Sequence, residues 1–306
     1  MAHWHIVGVG AIGCLWAHKL SNAGHEVSLI LKDSHQLGRY EAANGIHLQA
    51  LNDKTTTRYF SAYLAGDFHQ PIEHLLVCCK SWQSVEILTG LQHLLTSNSS
   101  VVLLQNGFGQ LHQSKPLLEH CAYYCVSTTD GAFKTDDFSV TLAGNGNTVI
   151  GPFNAAAQQR KIELANAQWQ DNIETILWRK LCVNAVINPL TALYNIKNGG
   201  ILTTTACAQM INPLCNEISN IARTAEQALT PADIQQAVHD VAQKTAANSS
   251  SMREDVLAGR RTEILEINGY LSALAKTQGT TAPLNDKLIL AISQISPTRQ
   301  PPQPTT

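Results

Sequence analysis

Short apolar runs recur along the first half of the chain, and they predict buried β-strands that alternate with helices. The first run, over residues 5–13, enters a helical pattern, and a second strand is predicted over Glu26–Leu31. Continuous apolar runs at 75–79 and 101–105 are typical of parallel strands that are covered on both faces. The alternation predicts an α/β domain over residues 1–172.

The strand pattern changes near Tyr123, where antiparallel pairing is predicted to complete the sheet. Strands are predicted at 123–127, 139–143 and 148–151. The segment Gly144-Asn145-Gly146-Asn147 predicts a hairpin between the last two strands. A helix is predicted next, from Ala155 to Asn166.

Beyond Ile173 the pattern predicts only helices. Helical periodicity covers residues 174–194, 203–228, 232–246, 252–277 and 285–295. We therefore predict an all-α C-terminal domain over residues 173–295. Four prolines among residues 296–306 predict a loose terminal tail.

Composition indicates a globular protein that acts on a small molecule. Lys and Arg number 21 against 23 Asp and Glu, and no basic run stands out, so neither nucleic-acid nor membrane binding is expected. No apolar segment is long enough to span a bilayer and no signal peptide is evident, which makes the cytoplasm the expected location. The cysteines and histidines form no metal-ligand pattern, so no metal site is predicted. A monomer and a homodimer both remain open.

The segment Gly8-Val9-Gly10-Ala11-Ile12-Gly13 joins the first strand to the first helix. In this context a Gly-x-Gly-x-x-Gly turn predicts a dinucleotide site, because the amides at the helix N-terminus can bind a pyrophosphate. Lys32 follows the second strand and favours the 2′-phosphate of NADP(H). Asp33, one position later, keeps NAD(H) open as a minority interpretation.

The apolar stretch from Trp178 to Leu190 carries a second candidate site. Lys180, Asn184 and Asn188 are spaced four residues apart, so a helix presents all three on one face. No Asp or Glu occurs from Thr175 to Asn216 to pair with the lysine. Lys180 either extends to the surface or is buried with a labile proton, which would suit proton transfer.

Further polar candidates follow predicted strands or lie on predicted helices. Lys80 and Asn106 follow the apolar runs at the sheet edge where ligands bind in open α/β sheets, although Asn106-Gly107 also suits a simple turn. Ser251 has the spacing of a capping box with Glu254. On a straight helix Ser251 and Glu263 would be about 18 Å apart, close enough to bracket a substrate and the end of a cofactor.

Taken together, these motifs resemble the ketopantoate reductase (2-dehydropantoate 2-reductase) family of the 6-phosphogluconate dehydrogenase-like group. The similarity runs from Gly8 to about Lys287 and fails only at the proline-rich tail. The segments that carry it are Gly8–Gly13, Lys80–Gln83, Gln105–Gly107, Trp178–Leu181 with Asn184 and Asn188, Ser250–Met252 and Arg261–Ile264. The resemblance implies a Rossmann-type domain followed by a helical domain, and NADPH-dependent reduction of 2-dehydropantoate to pantoate in pantothenate biosynthesis.

The resemblance also implies a role for each matching residue. Lys180 matches the family's proton donor. The positions that match substrate-binding residues are Asn106, Asn184, Asn188, Asn198 and Ser251. The positions that match cofactor contacts are Gly8, Val9, Gly10, Ala11, Ile12, Gly13, Lys32, Lys80, Asn106, the backbone of Ala132, and Glu263. Lys32 stands where the family usually has arginine, which should weaken the grip on a 2′-phosphate.

Two other functions fit the same residues. One is an NAD(P)H-dependent reductase of another 2-keto acid, which would share the catalytic set. The other is a non-catalytic NADPH-binding protein, against which the presence of Lys180, Asn184, Asn188, Ser251 and Glu263 argues.

Overall fold

The protein, described over residues 1–297 by a computed structural model, contains two compact units. The first comprises residues 1–105 and 110–174, and the second comprises 106–109 and, of the described residues, 175–297. The strands are β1 His3–Val7, β2 Glu26–Leu31, β3 Ile46–Gln49, β4 Thr55–Arg58, β5 Ser61–Leu64, β6 His74–Val77, β7 Ser100–Leu103, β8 Ala122–Thr128, β9 Gly131–Asp136, β10 Ser139–Gly144, β11 Thr148–Pro152 and β12 Gln168–Trp169. The helices are α1 Ala11–Asn22, α2 Ser34–Ala43, α3 Ser84–Leu91, α4 Gly109–Ser114, α5 Ala155–Gln158, α6 Ile173–Tyr194, α7 Gly200–Thr203, α8 Thr205–Thr224, α9 Pro231–Lys244, α10 Ser251–Leu257, α11 Ile264–Thr277 and α12 Pro283–Ile295.

The main sheet of the first unit places the glycine turn at a topological switch point. Its strand order is β12-β11-β8-β7-β6-β1-β2-β5, so the chain departs from β1 first toward one edge and then toward the other. β1 pairs in parallel with both β2 and β6. In open α/β sheets, ligands bind beyond the carboxyl ends of the strands where the order reverses. The α/β fold class predicted from the sequence is confirmed.

The predicted hairpin between residues 139–143 and 148–151 is wrong, although the antiparallel pairing of β8 with β11 is confirmed. β10 pairs with β9 and β3 in a separate four-stranded sheet, whereas β11 belongs to the main sheet. The connecting segment passes close to the end of β8. The amide of Gly146 donates to the carboxylate of Asp130 at 3.0 Å, and a Cβ at Gly146 would lie 2.1 Å from the carbonyl carbon of Thr129. Gly146 therefore permits a close approach of this segment to the residues that follow β8.

The second unit is built from helices, and α8, α11 and α12 pack together within it. α11 packs against α12, and both contact α8. The buried side chains at this junction include Leu214, Ile218, Leu271 and Leu288. None of the helices within residues 1–297 combines the length and the apolar character that a membrane crossing requires.

Two predicted helices are shorter than the sequence pattern suggested. The helix predicted over 155–166 ends after Gln158, and the helix predicted over 252–277 is interrupted between α10 and α11. Gly259 in the interruption has a left-handed φ of +61°, which glycine adopts without strain. Arg260 donates to the carboxylate of Asp255 at 2.9 Å and closes the turn. Of the predicted proline-rich tail, residues 298–306 lie outside the described residues.

Candidate functional site

The glycine turn after β1 has the geometry of a phosphate-binding turn. Gly8 has a φ of +89°, and a Cβ there would lie 2.1 Å from the amide nitrogen of Cys79. A Cβ at Gly13 would lie 2.3 Å from the carbonyl oxygen of Gly8, so neither position accepts a side chain. At Gly10, by contrast, a Cβ would meet no atom within 4 Å, and no side chain caps the N-terminus of α1. The open space and uncapped amides fit a dinucleotide pyrophosphate.

The end of β2 fits a cofactor with a 2′-phosphate. The Lys32 side chain is 81% exposed, and its Nζ lies 3.9 Å from the Asp33 carboxylate. Asp33 caps α2, where its carboxylate accepts a hydrogen bond of 2.8 Å from the amide of Gln36. A carboxylate that already serves as a helix cap is a poorer partner for a ribose hydroxyl. This geometry favours the interpretation based on Lys32.

Two other predicted cofactor contacts lie in the first unit. The amide of Lys80 donates to the side chain of Gln83 at 3.2 Å, and the Lys80 Nζ lies 5.7 Å from the ring centroid of Trp82. Ala132 lies on β9 and pairs with Leu142 of β10. Its backbone is thus fixed by the smaller sheet.

The second unit carries Lys180, Asn184 and Asn188 along one face of α6, because each is four residues from the next. Asn188 is buried, whereas Lys180 and Asn184 are partly buried. Trp178 on the same helix is buried against Phe108, with ring centroids 5.1 Å apart. The aromatic contact anchors the first turns of the helix, so the lysine projects from a fixed support.

The electrostatic environment of Lys180 suits proton donation. Burial lowers the pKa of its ammonium from 10.5 to about 8, while the charge of Glu263 acts in the opposite direction and raises that pKa. Glu263 is itself only 6% exposed. Its carboxylate accepts a hydrogen bond of 3.4 Å from the side-chain amide of Asn106. Lys180, Glu263 and Asn106 therefore form one interacting group in the second unit.

The interruption between α10 and α11 brings Ser251 and Glu263 to a common pocket. The residues that line this small pocket are Asn188, Ser251, Met252, Asp255, Glu263 and Ile267. The separation of about 18 Å expected for a straight helix does not apply, because the chain turns between the two residues.

The predicted capping role of Ser251 belongs instead to its neighbour. Ser250 is the N-cap of α10 and accepts a hydrogen bond of 3.1 Å from the amide of Arg253. The hydroxyls of Ser250 and Thr191 also lie 2.6 Å apart, which ties α10 to α6. Ser251 is the first residue of the helix and faces the pocket.

Asn198 does not line this pocket. Its side-chain amide donates to the hydroxyl of Thr245 at 2.9 Å, and its backbone amide donates to the carbonyl of Asn248 at 3.0 Å. It therefore fixes the segment that precedes Ser250.

Sequence reasoning missed three of the lining residues, Met252, Asp255 and Ile267. Asp255 is 3% exposed and is four residues after Ser251, so a helix presents both on one side. That spacing was visible in the sequence. The approach of Ile267 to Ser251 was not, because it depends on the break between the two helices.

Comparison with known proteins identifies the family. The family model described as "Ketopantoate reductase PanE/ApbA" matches residues 4–155, and its C-terminal counterpart matches residues 172–296. The chain is 31% identical to 2-dehydropantoate 2-reductase of Vibrio cholerae over 95% of this chain and 96% of that one. It is 32% identical to the enzyme of that name from Salmonella typhimurium, over 92% and 91% of the two chains.

Solved structures agree with the family models. The crystal structure of a probable 2-dehydropantoate 2-reductase from Bacillus subtilis superposes with a TM-score of 0.81 at 27% identity, over 96% of this chain and 100% of that one. A D-mandelate dehydrogenase bound to NADH and anilino(oxo)acetate has the same fold, with a TM-score of 0.87 at 23% identity over 96% and 98% of the two chains. The chain belongs to the ketopantoate reductase family.

Proposed function

We propose that this protein reduces 2-dehydropantoate to pantoate with NADPH, and that Lys180 donates the proton. The observation that carries the proposal is the Lys180 ammonium, whose pKa burial lowers to about 8 beside Glu263. An ammonium with that pKa is largely protonated at neutral pH and gives up its proton more readily than an ordinary lysine. The choice of substrate is supported by the relatives named 2-dehydropantoate 2-reductase, which match over nearly the full chain.

The reaction adds a hydride to the C2 carbonyl carbon and a proton to its oxygen. Bound NADPH supplies the hydride. As the carbonyl bond breaks, negative charge develops on the oxygen, and the Lys180 ammonium stabilises that charge before it transfers its proton. The product is the 2-hydroxy acid, and the neutral Lys180 amine regains a proton from solvent. The charge of Glu263 favours this reprotonation because it stabilises the ammonium.

Neutral side chains of α6 and α10 orient the substrate. Asn184 and Asn188 can donate hydrogen bonds from α6, and Ser251 can donate one from α10. Neutral donors fix the keto acid without adding a second charge that would compete with Lys180. We assign Asn106 to the junction of cofactor and substrate, because its amide contacts the carboxylate of Glu263. Asn198, the remaining residue predicted to bind substrate, would act indirectly, because it fixes the segment before Ser250.

For the cofactor, we propose that residues 1–172 bind NADP(H) and that residues 173–295 bind the substrate. The glycine turn at Gly8–Gly13 would hold the pyrophosphate, and Lys32 would hold the 2′-phosphate. Lys80 and the backbone of Ala132 would contact the remainder of the dinucleotide. Glu263 would lie beside the nicotinamide end. We further propose that the protein acts in the cytoplasm, as a monomer or a homodimer, in the synthesis of the coenzyme A precursor pantothenate.

The substrate assignment predicts a clear order among keto acids. We expect kcat/KM for 2-dehydropantoate to exceed the values for 2-oxoisovalerate, pyruvate and phenylglyoxylate by about tenfold or more, because groups that hydrogen-bond a substrate discriminate against analogues that lack them. The measurement is NADPH consumption with each acid. A higher kcat/KM for another 2-keto acid would reassign the substrate. Absence of turnover with all four, despite NADPH binding, would indicate a non-catalytic protein.

The cofactor assignment makes Lys32 the determinant of NADPH preference. We expect Lys32→Ala to raise KM for NADPH by about tenfold and to leave KM for NADH unchanged, since the lost charge-assisted hydrogen bond goes only to the 2′-phosphate. Lys54→Ala, which removes an exposed lysine between β3 and β4, is the matched control. Equal effects of Lys32→Ala on both cofactors would exclude this role.

A further inference from the structure

Pro189, directly after Asn188, interrupts the hydrogen-bond ladder of α6. Proline has no backbone N–H, so the carbonyl of Ala185, four residues earlier, lacks its helical donor. Ala185 is buried at 0% exposure, where an unsatisfied carbonyl is costly. The carbonyl lies between Asn184 and Asn188, and its partner therefore affects the backbone from which both side chains project.

The missing donor is supplied by Asn268 of α11. Its side-chain Nδ2 donates to the carbonyl oxygen of Ala185 at 2.9 Å and to Oδ1 of Asn285 at 2.8 Å. Asn268 is 0% exposed, so water does not compete for either hydrogen bond. Both protons of the amide are thereby used, which fixes the orientation of the side chain.

Asn285, which accepts the second hydrogen bond from Asn268, is itself held by a carboxylate of α8. The side chain of Asn285 donates to Oε1 of Glu217 at 2.7 Å. The other oxygen of that carboxylate accepts from the amide of Leu284 at 2.8 Å, at the N-terminus of α12. The chain Glu217–Asn285–Asn268 thus connects α8 and α12 to the carbonyl of Ala185.

We infer that Asn268 is a positioning residue for the substrate-binding face of α6. It replaces the hydrogen bond that Pro189 withholds, and it fixes the backbone at the point between Asn184 and Asn188. The next turn is fixed separately, because the hydroxyl of Thr191 donates to the carbonyl of Ile187 at 2.8 Å. The inference rests on the proposed function, in which these two asparagines orient the keto acid.

The first test is Asn268→Leu, which keeps the volume and removes both donors. We expect KM for 2-dehydropantoate to rise by about tenfold or more, because small displacements of orienting groups are costly. The dissociation constant for NADPH should stay unchanged. Tm should fall by about 4 °C, as expected when a buried carbonyl loses its donor in a chain of this size. Ser219→Ala is the matched control, because it removes a buried hydrogen bond of 2.7 Å to the carbonyl of Leu229. It should lower Tm without changing KM.

A double-mutant cycle with Pro189→Ala separates this role from general packing. That substitution restores a backbone N–H for the carbonyl of Ala185. Asn268→Leu should therefore change KM by less than about threefold in the Pro189→Ala background, although Tm should still fall because Asn285 loses its donor. Additive effects on KM would overturn the inference, as would an unchanged KM in Asn268→Leu alone. Failure of the proposed function would be seen in the wild-type protein, whereas failure of this inference would be seen only in the variants.

Discussion

Replacement of Lys180 by alanine is expected to lower kcat by about 10³-fold, while the dissociation constant for NADPH stays within about twofold of its wild-type value. The substitution removes both the proton donor and the positive charge that stabilises the developing oxyanion. Each of these effects alone typically changes the rate by about 10²-fold or more. The measurement is single-turnover reduction of 2-dehydropantoate, with NADPH binding followed separately by fluorescence.

Two further variants divide the effect of Lys180 into its parts. Lys180→Arg keeps a charge but has a pKa too high for efficient proton transfer, so it should recover part of the electrostatic stabilisation and little of the proton donation. Lys180→Met keeps the volume and should be as inactive as Lys180→Ala. We expect Tm to be no lower in Lys180→Met, because burial of the ammonium opposes folding.

The matched control for these variants is the adjacent Arg179. It is exposed and lines a separate pocket with Asp233 and Asp240. Arg179→Ala should leave kcat near its wild-type value, because the Arg179 side chain projects from a different face of α6. A Lys180→Ala enzyme with near-normal turnover would refute the assignment of the proton donor.

The features that the sequence predicted well depend on the pattern of apolar and turn-forming residues within short segments of the chain. β2 covers Glu26–Leu31 as expected, and α6 begins and ends within one residue of its predicted range. The turn from Gly8 to Gly13 was equally accessible, because a Gly-x-Gly-x-x-Gly pattern between a strand and a helix is a local signal. Apolar periodicity and turn chemistry are local properties, so they can be read along the chain.

The features that the sequence did not predict depend on contacts between distant segments. The segment Gly144–Asn147 has the composition of a tight hairpin, but its glycine is used where the backbone crosses Asp130. Similarly, the capping pattern allowed Ser251 as the N-cap of α10. In the structure Ser250 is the N-cap, so the helix begins one residue earlier, and the Ser250 hydroxyl contacts Thr191. In both cases local chemistry permitted two structures, and tertiary contacts favoured one.

The clearest example of such a distant contact is the hydrogen bond from Asn268 to the carbonyl of Ala185, which Pro189 leaves without a helical donor. An interior proline in a predicted helix implies that a carbonyl four residues earlier needs another donor. The sequence can therefore predict that a donor exists, but the donor lies 83 residues away from Ala185. Only the packing of α11 against α6 identifies it. The same limit applies to Lys180, for which the sequence showed that no acid lies nearby in the chain, and the structure supplies Glu263.

Removal of the negative charge of Glu263 is expected to shift the pH dependence of the reaction. Lys180 must be protonated to act as the donor, so kcat/KM should be high below its pKa of about 8 and should fall as pH rises through that value. The carboxylate of Glu263 stabilises the ammonium. Glu263→Gln should therefore lower the pKa of Lys180, and the midpoint of the alkaline limb should move down by about one pH unit. Activity at pH 8 and above should fall most.

Glu266→Gln is the control, because Glu266 lies three residues further along the same region and is paired with Arg261 at 2.9 Å. The charge of Glu266 is already balanced by Arg261, so its substitution should leave the alkaline midpoint close to the wild-type value. Glutamine at position 263 still offers an oxygen to the amide of Asn106, and a shifted midpoint therefore reports charge rather than a lost hydrogen bond. An alkaline midpoint that is the same in Glu263→Gln and in the wild type would show that the charge of Glu263 does not set the pKa of the lysine.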